Sequence, residues 1–582
     1  MACIRDMVLR RKIYAKLTAT DRAAIARHIA ALSKTPKIAV VMPVYNPRHS
    51  DLMEAVESVK RQIYGHWELC IADDASTDAR IAPLLRQMAD SDPRIKFIIR
   101  ENNGHISEAT NSAISLVTAD YVAFMDQDDL LHETALYEVA AELEKHPKAR
   151  IVYSDEDIID DRGKRSAPYH KPDFNIELLL GQNFVSHLSV LERRLLNKIG
   201  GLRAGFEGSQ DYDLILRASG KVRSSEIVHI PIVLYHWRRT KQDHSFSQRN
   251  LEKCVAAARA AIQEHLDGEG EGARVTAPDH KDAWQYSRVI RKVPAPEPKV
   301  SIIIPTRDLA DMLQTCVDSI LKKTQYGNYE IIIADNDSRS PDALRLLEAY
   351  AGHPRIKVMR QPGPFNYSAI NNAAVHSAKG RFIAFLNNDI EVINGEWLTE
   401  MVAQACRKDV GAVGAKLFFP DGTIQHGGVF VGPDTHAAHM MFGRPDREAG
   451  YFSQAHLVRA QSAVTGACMV VSKKKFLTAG GFDEEHFAVA YNDVDLCLKL
   501  GLAGYRNVWT PFARLIHHES MSRGKDVTPE KKERLERERE SFRKRWNHLA
   551  AFDAFYNPNL SLPQGDFYVV PSRRPKTWAA YL

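Results

Sequence analysis

A chain of 582 residues is too long for one hydrophobic core, and its length predicts two domains of roughly 200–250 residues with additional ends. The composition, 44% hydrophobic and 26% charged, is typical of a soluble globular protein, and a net charge of +5 is too small to indicate a nucleic-acid-binding protein. The chain has no run of 18 apolar residues and its seven cysteines are scattered, so we expect a cytoplasmic protein without a membrane span.

Residues 1–36 form a basic N-terminal extension that we predict to be helical. Arg10, Arg11, Lys12 and Lys16 stand among apolar residues in this segment. One interpretation is a solvated helix that packs on the first domain. The other is a basic amphipathic helix that lies on anionic lipid and attaches the chain peripherally to the inner membrane.

The remainder of the chain contains one pattern twice, about 260 residues apart. In each copy, helix-like stretches separate three apolar strands that end in proline or in acidic residues. These strand ends lie at residues 40–46, 70–78 and 124–129 in the first copy and at 302–308, 332–338 and 385–389 in the second. Self-similarity at this period indicates duplicated domains, and short strands that alternate with longer helices indicate an α/β fold with a mostly parallel sheet.

We therefore assign residues 37–270 and 299–525 to two α/β domains, joined by a Gly- and Pro-rich linker at 271–298. Residues 526–582 form a helical C-terminal tail. Its helix at 531–546 carries charges of alternating sign, which favours a solvated face over a partner-binding or membrane-surface helix. Ligands of such sheets bind beyond the carboxyl ends of the strands, so we expect one ligand pocket per copy.

Three aspartates crowd the end of the third strand of the first copy: Asp126, Asp128 and Asp129. Like charges this close repel each other and raise each other's pKa unless a cation lies among them. A Mg²⁺ or Mn²⁺ ion would relieve the repulsion and would also hold a diphosphate. The alternative is a surface loop whose acids cap the next helix, but the acidic D-D-A-S-T-D after the second strand favours the functional interpretation.

The motifs P-V-Y-N, A-D-D-A-S-T-D, M-D-Q-D-D, S-Q-D-Y-D and Y-H-W-R of the first copy together resemble family 2 glycosyltransferases with the GT-A fold. The second copy resembles the same family through I-P-T-R-D, A-D-N-D-S, L-N-N-D, Y-N-D-V-D-L-C and H-H-E-S. The resemblance covers most of the chain. The motifs G-F-E-G-S-Q-D-Y-D-L and F-N-Y-S-A-I-N-N-A-A further resemble two-domain bacterial enzymes that build O-antigen, capsule or exopolysaccharide, including rhamnosyltransferases.

The resemblance implies two tandem GT-A domains, Rossmann-like with mostly parallel sheets, between helical extensions. It implies an inverting enzyme that transfers sugars from a nucleotide-sugar donor, dTDP-rhamnose or a UDP-sugar, to a growing surface polysaccharide or a polyprenyl-linked glycan. The catalytic bases would be Asp211 and Asp493, since a carboxylate suits removal of the proton from the acceptor hydroxyl. A Mg²⁺ or Mn²⁺ ion would stabilise the leaving diphosphate.

The resemblance also implies the remaining site residues, motif by motif. The donor-binding residues would be Pro43, Tyr45, Asp74, Asp126, Pro305, Thr306, Asp335, Asn366 and Asn387. The metal or diphosphate contacts would be Asp128, His236, Asp389 and His517, with His518 as an alternative to His517. In this assignment Asp335 is the counterpart of Asp74, and His517 is that of His236.

The second copy departs from the pattern at its third strand, where Asn387 replaces the carboxylate of Asp126. The loss of one charge weakens a metal site, although an asparagine oxygen can still be a ligand. Two hypotheses therefore stay open: both copies transfer sugars, or the second is a glycan- or nucleotide-binding module. For F-N-Y-S around Asn366, the alternative to donor binding is a helix N-terminus that packs on the sheet.

Several other polar residues have a plainer interpretation. Asp213 and Asp495 each follow a predicted base by two residues, and we expect them to cap or orient its helix. His426, His436 and His439 fit no standard metal-site spacing. We interpret these three as incidental histidines of an acceptor-side loop, in the stretch of about twenty residues that lengthens the second copy.

Overall fold

The chain folds into two α/β domains with extensions at both ends. The computed structural model describes residues 16–239, 249–270, 272–432, 436–518, 528–550, 552–562 and 567–582. The strands of the first domain are β1 (Ile38–Val44), β2 (Trp67–Asp73), β3 (Ile95–Ile99), β4 (Tyr121–Phe124), β5 (Leu130–Leu131), β6 (Ile151–Ile159), β7 (Arg165–Tyr169), β8 (Ser189–Glu192) and β9 (Ile227–Arg238). The helices up to its end are α1 (Ala19–Ala31), α2 (His49–Lys60), α3 (Ile81–Ser91), α4 (His105–Ser115), α5 (Ala135–Lys145), α6 (Ile176–Leu179), α7 (Arg193–Ile199), α8 (Gln210–Ser219) and α9 (Leu251–Gly268).

A short antiparallel pair, β10 (Arg274–Thr276) and β11 (Arg288–Ile290), leads to the second domain. The strands of that domain are β12 (Val300–Thr306), β13 (Tyr329–Asp335), β14 (Ile356–Arg360), β15 (Phe382–Leu386), β16 (Ile390–Val392), β17 (Val410–Phe418), β18 (Ile424–His426), β19 (Val429–Gly432), β20 (His436–His439), β21 (Arg459–Gln461), β22 (Cys468–Ser472) and β23 (Arg506–His517). The remaining helices are α10 (Ala310–Lys323), α11 (Pro341–Ala351), α12 (Tyr367–Ser377), α13 (Trp397–Ala405), α14 (Lys473–Thr478), α15 (Asn492–Leu502) and α16 (Pro529–Ala550).

The two large sheets share one strand order. It is β3-β2-β1-β4-β8-β6-β9-β5 in the first domain and β14-β13-β12-β15-β22-β17-β23-β16 in the second, with short strands attached beside this path. The first four strands of each order are parallel, whereas β8 and β22 run antiparallel to both neighbours. The prediction of an α/β fold with two sheet domains is confirmed, and the sheets are mixed beyond their parallel first half.

Each sheet is buried on both faces. Ile38, Val40 and Met42 of β1 face one hydrophobic cluster, and Ala39 and Val41 face the other. Successive side chains of a strand alternate between faces, which explains why a strand buried on both sides is continuously apolar. Polar side chains therefore collect at the strand ends, where the sequence predicts the sites.

Helix α1 packs on the first domain. Ala24 and Ile25 are completely buried within the cluster that covers one face of the first sheet. This agrees with the interpretation of a helix packed on that domain, whereas Arg10, Arg11 and Lys12 lie outside the described residues. Of the helices that the structure describes, none combines the length and the apolar character needed to cross a membrane.

The C-terminal region contacts both domains. Helix α16 lies on the second domain, where Phe542 is completely buried and Trp546 is 3% exposed. Beyond this helix the chain returns to the first domain, and the Trp578 indole donates to the Asp21 carboxylate of α1 at 2.7 Å. The predicted solvated face holds for the outer side of α16 only, because Phe542 and Trp546 are four residues apart and share one buried side.

A buried ion cluster joins the two domains. Glu177 of the first domain is 2% exposed and lies 2.7 Å from a guanidinium nitrogen of Arg407 and 3.1 Å from one of Arg506. Burial alone would raise the pKa of Glu177, but the two guanidinium groups hold it well below its usual range. The charged carboxylate is therefore part of the domain interface at neutral pH.

Candidate active sites

The first two strands of each domain place acids at one edge of the sheet. In the parallel register the last residue of β1 lies opposite Asp73, and the last residue of β12 lies opposite Asp335. Asp335 is therefore the counterpart of Asp73, and its pairing with Asp74 is wrong by one residue. Asp74 corresponds to Asn336, since the backbone N–H of each donates at 2.8 Å to the last carbonyl of β1 or β12.

These strand-end acids have cationic partners within their own domains. The Nε of Arg100 lies 2.9 Å from Asp74 Oδ1, which also accepts the Gly104 N–H at 3.0 Å. A guanidinium nitrogen of Arg360 lies 2.9 Å from Asp335 Oδ2. Asp74 and Asp335 are almost completely buried, so these partners offset the cost of removing each carboxylate from water.

The carboxyl ends of β1 and β12 hold four of the predicted donor residues: Pro43, Tyr45, Pro305 and Thr306. Each strand end is bonded to the loop that follows β4 or β15. The Tyr45 N–H donates to Gln127 Oε1 at 2.8 Å, and Asn388 Nδ2 donates to Thr306 Oγ1 at 3.0 Å. In both domains, the strand end that is predicted to border the nucleotide is thus hydrogen-bonded to the loop that carries the acids.

The three acids after β4 have different roles. Asp129 is buried, and its carboxylate accepts the Tyr235 hydroxyl at 2.6 Å and the Arg238 N–H at 2.8 Å. Asp126 and Asp128 remain partly accessible to solvent. Loss of hydration within the surrounding protein raises the pKa of each to about 6, and the charge of Asp126 adds to the increase at Asp128. Asp129 therefore holds the loop, whereas Asp126 and Asp128 are available to a ligand.

His236 does not reach these acids, and the structure contradicts its predicted role as a metal or diphosphate contact. Side chains alternate along β9, and the neighbouring Tyr235 is the one that points to the acids after β4. His236 Nδ1 instead lies 2.6 Å from Asp157 Oδ1, and its ring packs edge-on against His132 at 6.0 Å. The alternation of side chains along β9 therefore explains why the role predicted for His236 was wrong.

Asp211 lies in the first turn of α8, close to the acidic loop. The side-chain amide of Asn183 donates to Asp211 Oδ2 at 2.8 Å. Burial raises the pKa of Asp211, the nearby His187 ring counteracts the increase, and the charge of Asp126 adds to it. The predicted base and the predicted donor acid of the first domain are thus close enough for their charges to interact.

His187 is a site residue that sequence reasoning missed. Its ring stacks on Tyr235 with a centroid separation of 4.7 Å, and its Nε2 lies 3.8 Å from Asp126 Oδ2. Burial lowers the pKa of His187 to about 4, so the ring is neutral near pH 7. The register of β8 and β22 places Ala467 at the corresponding position of the second domain. Because that residue is not a histidine, comparison of the two copies could not identify His187.

The second domain contains a cavity of about 670 Å³ at the carboxyl ends of β12 and β15. Six of its lining residues are predicted site residues: Pro305, Thr306, Asn387, Asp389, Asp493 and His517. Helix α16 also contributes Lys531 to the wall. The structure therefore brings together in one cavity the parts that the sequence separates by more than two hundred residues.

Asp493 is oriented by two backbone groups in the first turn of α15. Its Oδ2 accepts the Gly466 N–H at 2.8 Å, and its Oδ1 accepts the Val494 N–H at 2.8 Å. Gly466 precedes β22, so this bond fixes the carboxylate relative to the sheet as well as to its own helix. The geometry suits a base that must face a bound hydroxyl.

His517 and Asp389 lie together, as the sequence predicts. His517 Nε2 is 3.1 Å from Asp389 Oδ1 and 3.4 Å from Asn387 Nδ2, and its Nδ1 is 2.6 Å from Gln425 Oε1. The alternative residue, His518, lies 3.4 Å from Glu391 instead. Residues 519–524 of the H-H-E-S-M-S-R-G motif lie outside the described residues.

Asn366 caps a helix and does not line the cavity. Its Oδ1 accepts the Ala369 N–H at 2.9 Å at the start of α12, and its Nδ2 donates to the Glu484 carbonyl at 2.9 Å. The structure thus contradicts the predicted donor contact of Asn366 and supports the alternative of a helix N-terminus. Its neighbours Phe365 and Tyr367 do line the cavity.

Asp213 and Asp495 orient their helices through ion pairs. Asp213 lies 2.8 Å from a guanidinium nitrogen of Arg217. Asp495 is completely buried and accepts Arg545 Nη1 at 2.8 Å and Trp546 Nε1 at 3.0 Å, both from α16. The C-terminal helix therefore holds the helix that carries Asp493.

The residues present fit a divalent cation that the substrate helps to bind. Asp126 and Asp128 offer hard oxygen atoms whose raised pKa values a cation would lower, and Asp389 with His517 offers a comparable pair in the second domain. Among the described residues, no group of three or more candidate ligands surrounds a metal position. One or two protein ligands suit Mg²⁺ or Mn²⁺ when diphosphate oxygens supply the others.

Comparisons with known proteins agree with the repeated domains. The family model described as "Glycosyl transferase family 2" matches residues 39–200 and 301–429. Uncharacterized protein y4gI of Sinorhizobium fredii is 45% identical over 557 residues, covering 94% of this chain and 60% of that protein. O-antigen biosynthesis protein RfbC of Myxococcus xanthus is 39% identical over 561 residues, covering 95% of this chain and 42% of that protein. The chain thus spans about half the length of these relatives.

Among solved structures, the first 349 residues of TarS from S. aureus in complex with UDP-GlcNAc align with a TM-score of 0.33. The sequence identity is 20%, and the alignment covers 40% of this chain and 67% of that chain.

Proposed function

The chain belongs to glycosyl transferase family 2, and on this premise we propose that it carries two inverting sugar-transfer sites, one in each α/β domain. The observation that supports two sites is that each sheet, at the same topological positions, combines an acid after its fourth parallel strand, β4 or β15, with an aspartate at the start of a later helix. The first site contains Asp128 and Asp211, and the second contains Asp389 and Asp493.

In the proposed reaction, Asp211 or Asp493 takes the proton of an acceptor hydroxyl as its oxygen attacks the anomeric carbon of the donor sugar. The bond from that carbon to the diphosphate oxygen breaks as the new bond forms on the opposite face, so the anomeric configuration inverts. A Mg²⁺ or Mn²⁺ ion, held by Asp126 and Asp128 or by Asp389 and His517, would stabilise the charge of the leaving diphosphate.

We propose a nucleotide-sugar donor, dTDP-rhamnose or a UDP-sugar, and a growing bacterial surface polysaccharide or polyprenyl-linked glycan as the acceptor. The name of the Myxococcus relative, an O-antigen biosynthesis protein, supports this class of acceptor. We place the reaction in the cytoplasm, with the chain either free or associated peripherally with the membrane that carries the acceptor.

The second candidate is a chain with one catalytic domain and one glycan- or nucleotide-binding module. Two differences favour it: Asn387 stands where the first domain has Asp126, and Ala467 stands where it has His187. The second domain nevertheless keeps the oriented Asp493 and the adjacent Asp389, which is why we favour two transfer sites.

Calorimetry tests whether the second domain has the metal-dependent nucleotide site that a transfer site requires. We expect UDP or dTDP with MnCl₂ to bind the full chain at two sites, and Asp128→Asn and Asp389→Asn each to remove the metal dependence of one of them. Glu485→Gln, at an exposed position of the second domain, is the charge-matched control. A single metal-dependent site that Asp389→Asn leaves unchanged would support the binding-module function instead.

The first site should lose activity in mild acid. Because burial raises the pKa of Asp211, a larger share of this base is protonated as the pH falls, and a protonated carboxyl cannot accept the hydroxyl proton. In an Asp493→Asn background, where the first site alone acts, the acid limb of the pH–rate profile should lie above the value of about 3.9 that an ordinary aspartate gives. A rate that stays constant down to about pH 4 would contradict this assignment.

A further inference from the structure

One loop of the first domain contacts both the predicted base and the predicted donor acid. The side-chain amide of Asn183 donates to Asp211 Oδ2 at 2.8 Å, and its oxygen accepts the Ser186 N–H at 3.3 Å. His187 ends this loop just before β8, and its Nε2 lies 3.8 Å from Asp126 Oδ2. Under the proposed function the base acts next to the anomeric carbon, so a side chain of this loop that faces Asp126 lies beside the transferred sugar.

A buried lysine fixes the backbone of this loop. Lys171 is completely buried, and its Nζ donates to the Ser186 carbonyl at 2.9 Å and to the His187 carbonyl at 2.7 Å. The same Nζ lies 2.9 Å from Glu156 Oε2. Two consecutive carbonyl groups are thus bound to one buried side chain, which holds the backbone of His187 in place.

Two aromatic side chains of β9 fix the His187 ring. The ring stacks on Tyr235 and meets Trp237 edge-on, with centroid separations of 4.7 and 4.8 Å. The Tyr235 hydroxyl in turn donates to Asp129 and accepts the Asp126 N–H at 3.2 Å. The imidazole is therefore packed against the acidic loop in a defined orientation, which lowers the entropic cost of a contact with a ligand.

The proton of the neutral His187 ring lies on Nε2. Nδ1 is buried, and no described group of the protein is hydrogen-bonded to it. A proton on Nδ1 would therefore leave a buried N–H without an acceptor, whereas a proton on Nε2 faces the Asp126 carboxylate. Since burial keeps this ring neutral near pH 7, His187 presents one N–H, on the ring nitrogen that faces Asp126.

The gap between His187 and Asp126 matches a hydroxyl group. Their separation of 3.8 Å is longer than the roughly 2.7–3.2 Å of an N–H···O hydrogen bond. A hydroxyl oxygen beside both groups can accept a hydrogen bond from Nε2 and donate one to the carboxylate. A phosphate oxygen can only accept, and the charge of Asp126 would repel it. The pair therefore favours a sugar hydroxyl over a phosphate oxygen.

The second domain lacks this pair. Ala467 and Asn387 occupy the positions of His187 and Asp126. The Asn387 N–H donates to the Ala467 carbonyl at 3.0 Å, so the corresponding loop lies beside its strand end without an imidazole. A contact through His187 is therefore confined to the first site.

We propose that His187 recognises the sugar that the first site transfers, by donating its Nε2–H to a sugar hydroxyl that in turn donates to Asp126. The other oxygen of the Asp126 carboxylate stays available to the proposed cation. The inference rests on the proposed function, because it takes Asp211 as the base beside the anomeric carbon. It deepens that function by naming a residue that determines which donor sugar the first site accepts.

Calorimetry of the full chain tests this contact. All samples carry Asp389→Asn, so that metal-dependent binding reports on the first site, and no acceptor is added. The probes are dTDP-rhamnose, UDP-glucose and UDP-N-acetylglucosamine, and the references are dTDP and UDP, each with MnCl₂ and with EDTA. His187→Gln places an amide donor near the position of Nε2, whereas the shorter His187→Asn does not reach it.

We expect His187→Asn to weaken binding of the nucleotide sugar that the first site accepts by about tenfold, as the loss of one hydrogen bond implies. His187→Gln should stay within about threefold, because it restores a donor. Binding of dTDP and UDP should change by less than about twofold in both variants, since neither nucleotide carries a transferred sugar. Unchanged nucleotide binding also shows that the variants are folded.

Monodeoxy analogues of the accepted nucleotide sugar identify the hydroxyl. One analogue should bind the chain with His187 about tenfold more weakly than the parent compound does. His187→Asn should weaken binding of that analogue no further, because the hydrogen bond is already absent. The other analogues should each lose about tenfold in affinity on this substitution.

The inference is overturned if His187→Asn leaves nucleotide-sugar binding unchanged, weakens binding of dTDP or UDP as much, or weakens every deoxy analogue equally. The absence of metal-dependent binding of all three nucleotide sugars would overturn it as well. The proposed function fails by a different result, namely that the nucleotide sugars bind but no nucleotide is released at either site with any acceptor.

Discussion

Asp493→Asn should lower sugar transfer at the second site by about 10²–10⁴-fold and leave the first site at its wild-type rate, as expected for the loss of a general base. The amide has nearly the same shape as the carboxylate but cannot accept the hydroxyl proton. Its oxygen can still accept one of the two N–H groups, from Gly466 and Val494, that orient Asp493. The loss should therefore appear in kcat with little change in donor KM.

Asp211→Asn should have the reciprocal effect on the first site. The measurement is release of nucleoside diphosphate with each candidate donor, for each variant and for Glu485→Gln, which removes an exposed carboxylate of the second domain. An unchanged rate for Asp493→Asn with every donor would mean that the second domain is not a transferase. Equal losses of every activity in both variants would mean that the two domains form one site.

The second large effect should come from the buried side of α16. Phe542 is completely buried and stacks on Tyr491 with a centroid separation of 4.9 Å, directly before the helix that carries Asp493. Trp546 donates to the buried Asp495 of that same helix. We expect Phe542→Ala and Trp546→Ala each to lower the free energy of unfolding by about 3–5 kcal/mol, because each removes a large buried ring.

Both variants should also lower second-site transfer more than first-site transfer, since the displaced helix carries the second base. Lys544→Ala, at an exposed position of α16, should change the unfolding free energy by less than about 0.5 kcal/mol. Denaturant unfolding followed by donor-specific turnover measures both quantities. If the alanine variants keep full stability, or if they impair the first site more strongly, then α16 does not position the second site.

The strand ends were predictable from sequence because their physical cause is local. An apolar run that stops at an acid marks where a buried parallel strand reaches the ligand edge. The duplication then supplied a second instance of each position, and the structure places Asn387, Asp389, Asp493 and His517 around one cavity. The two sheets also share one strand order, so the repeated sequence pattern corresponds to a repeated sheet topology.

Other features depend on geometry that spacing does not contain. His236 occupies a motif position, but the alternation of β9 directs it to Asp157. The pairing of Asp335 with Asp74 failed because two adjacent acids cannot be told apart without the register of β1 and β2. His187 reaches the acidic loop through tertiary packing and has alanine at its duplicated position, so neither a motif nor the repeat could identify it.

The buried side of α16 was not predicted, for a related reason. Its sequence is dominated by alternating charges, and only a few large apolar residues, among them Phe542 and Trp546, mark its buried side. Asp495 in addition accepts hydrogen bonds from Trp546 and from Arg545, so the buried side of α16 also has a polar contact. The same helix contributes Lys531 to the cavity, so the second site extends beyond the boundary at residue 525 that the motifs suggest.

Product analysis tests the central claim most directly, which is that one chain contains two separate transfer sites. The wild-type chain, Asp211→Asn and Asp493→Asn are each supplied with the same donors and glycan acceptor, and the products are identified by mass spectrometry and linkage analysis. Two sites predict that each variant omits a different linkage and that a mixture of both variants restores the wild-type product. A wild-type product from Asp493→Asn alone, with no linkage missing, would contradict the claim.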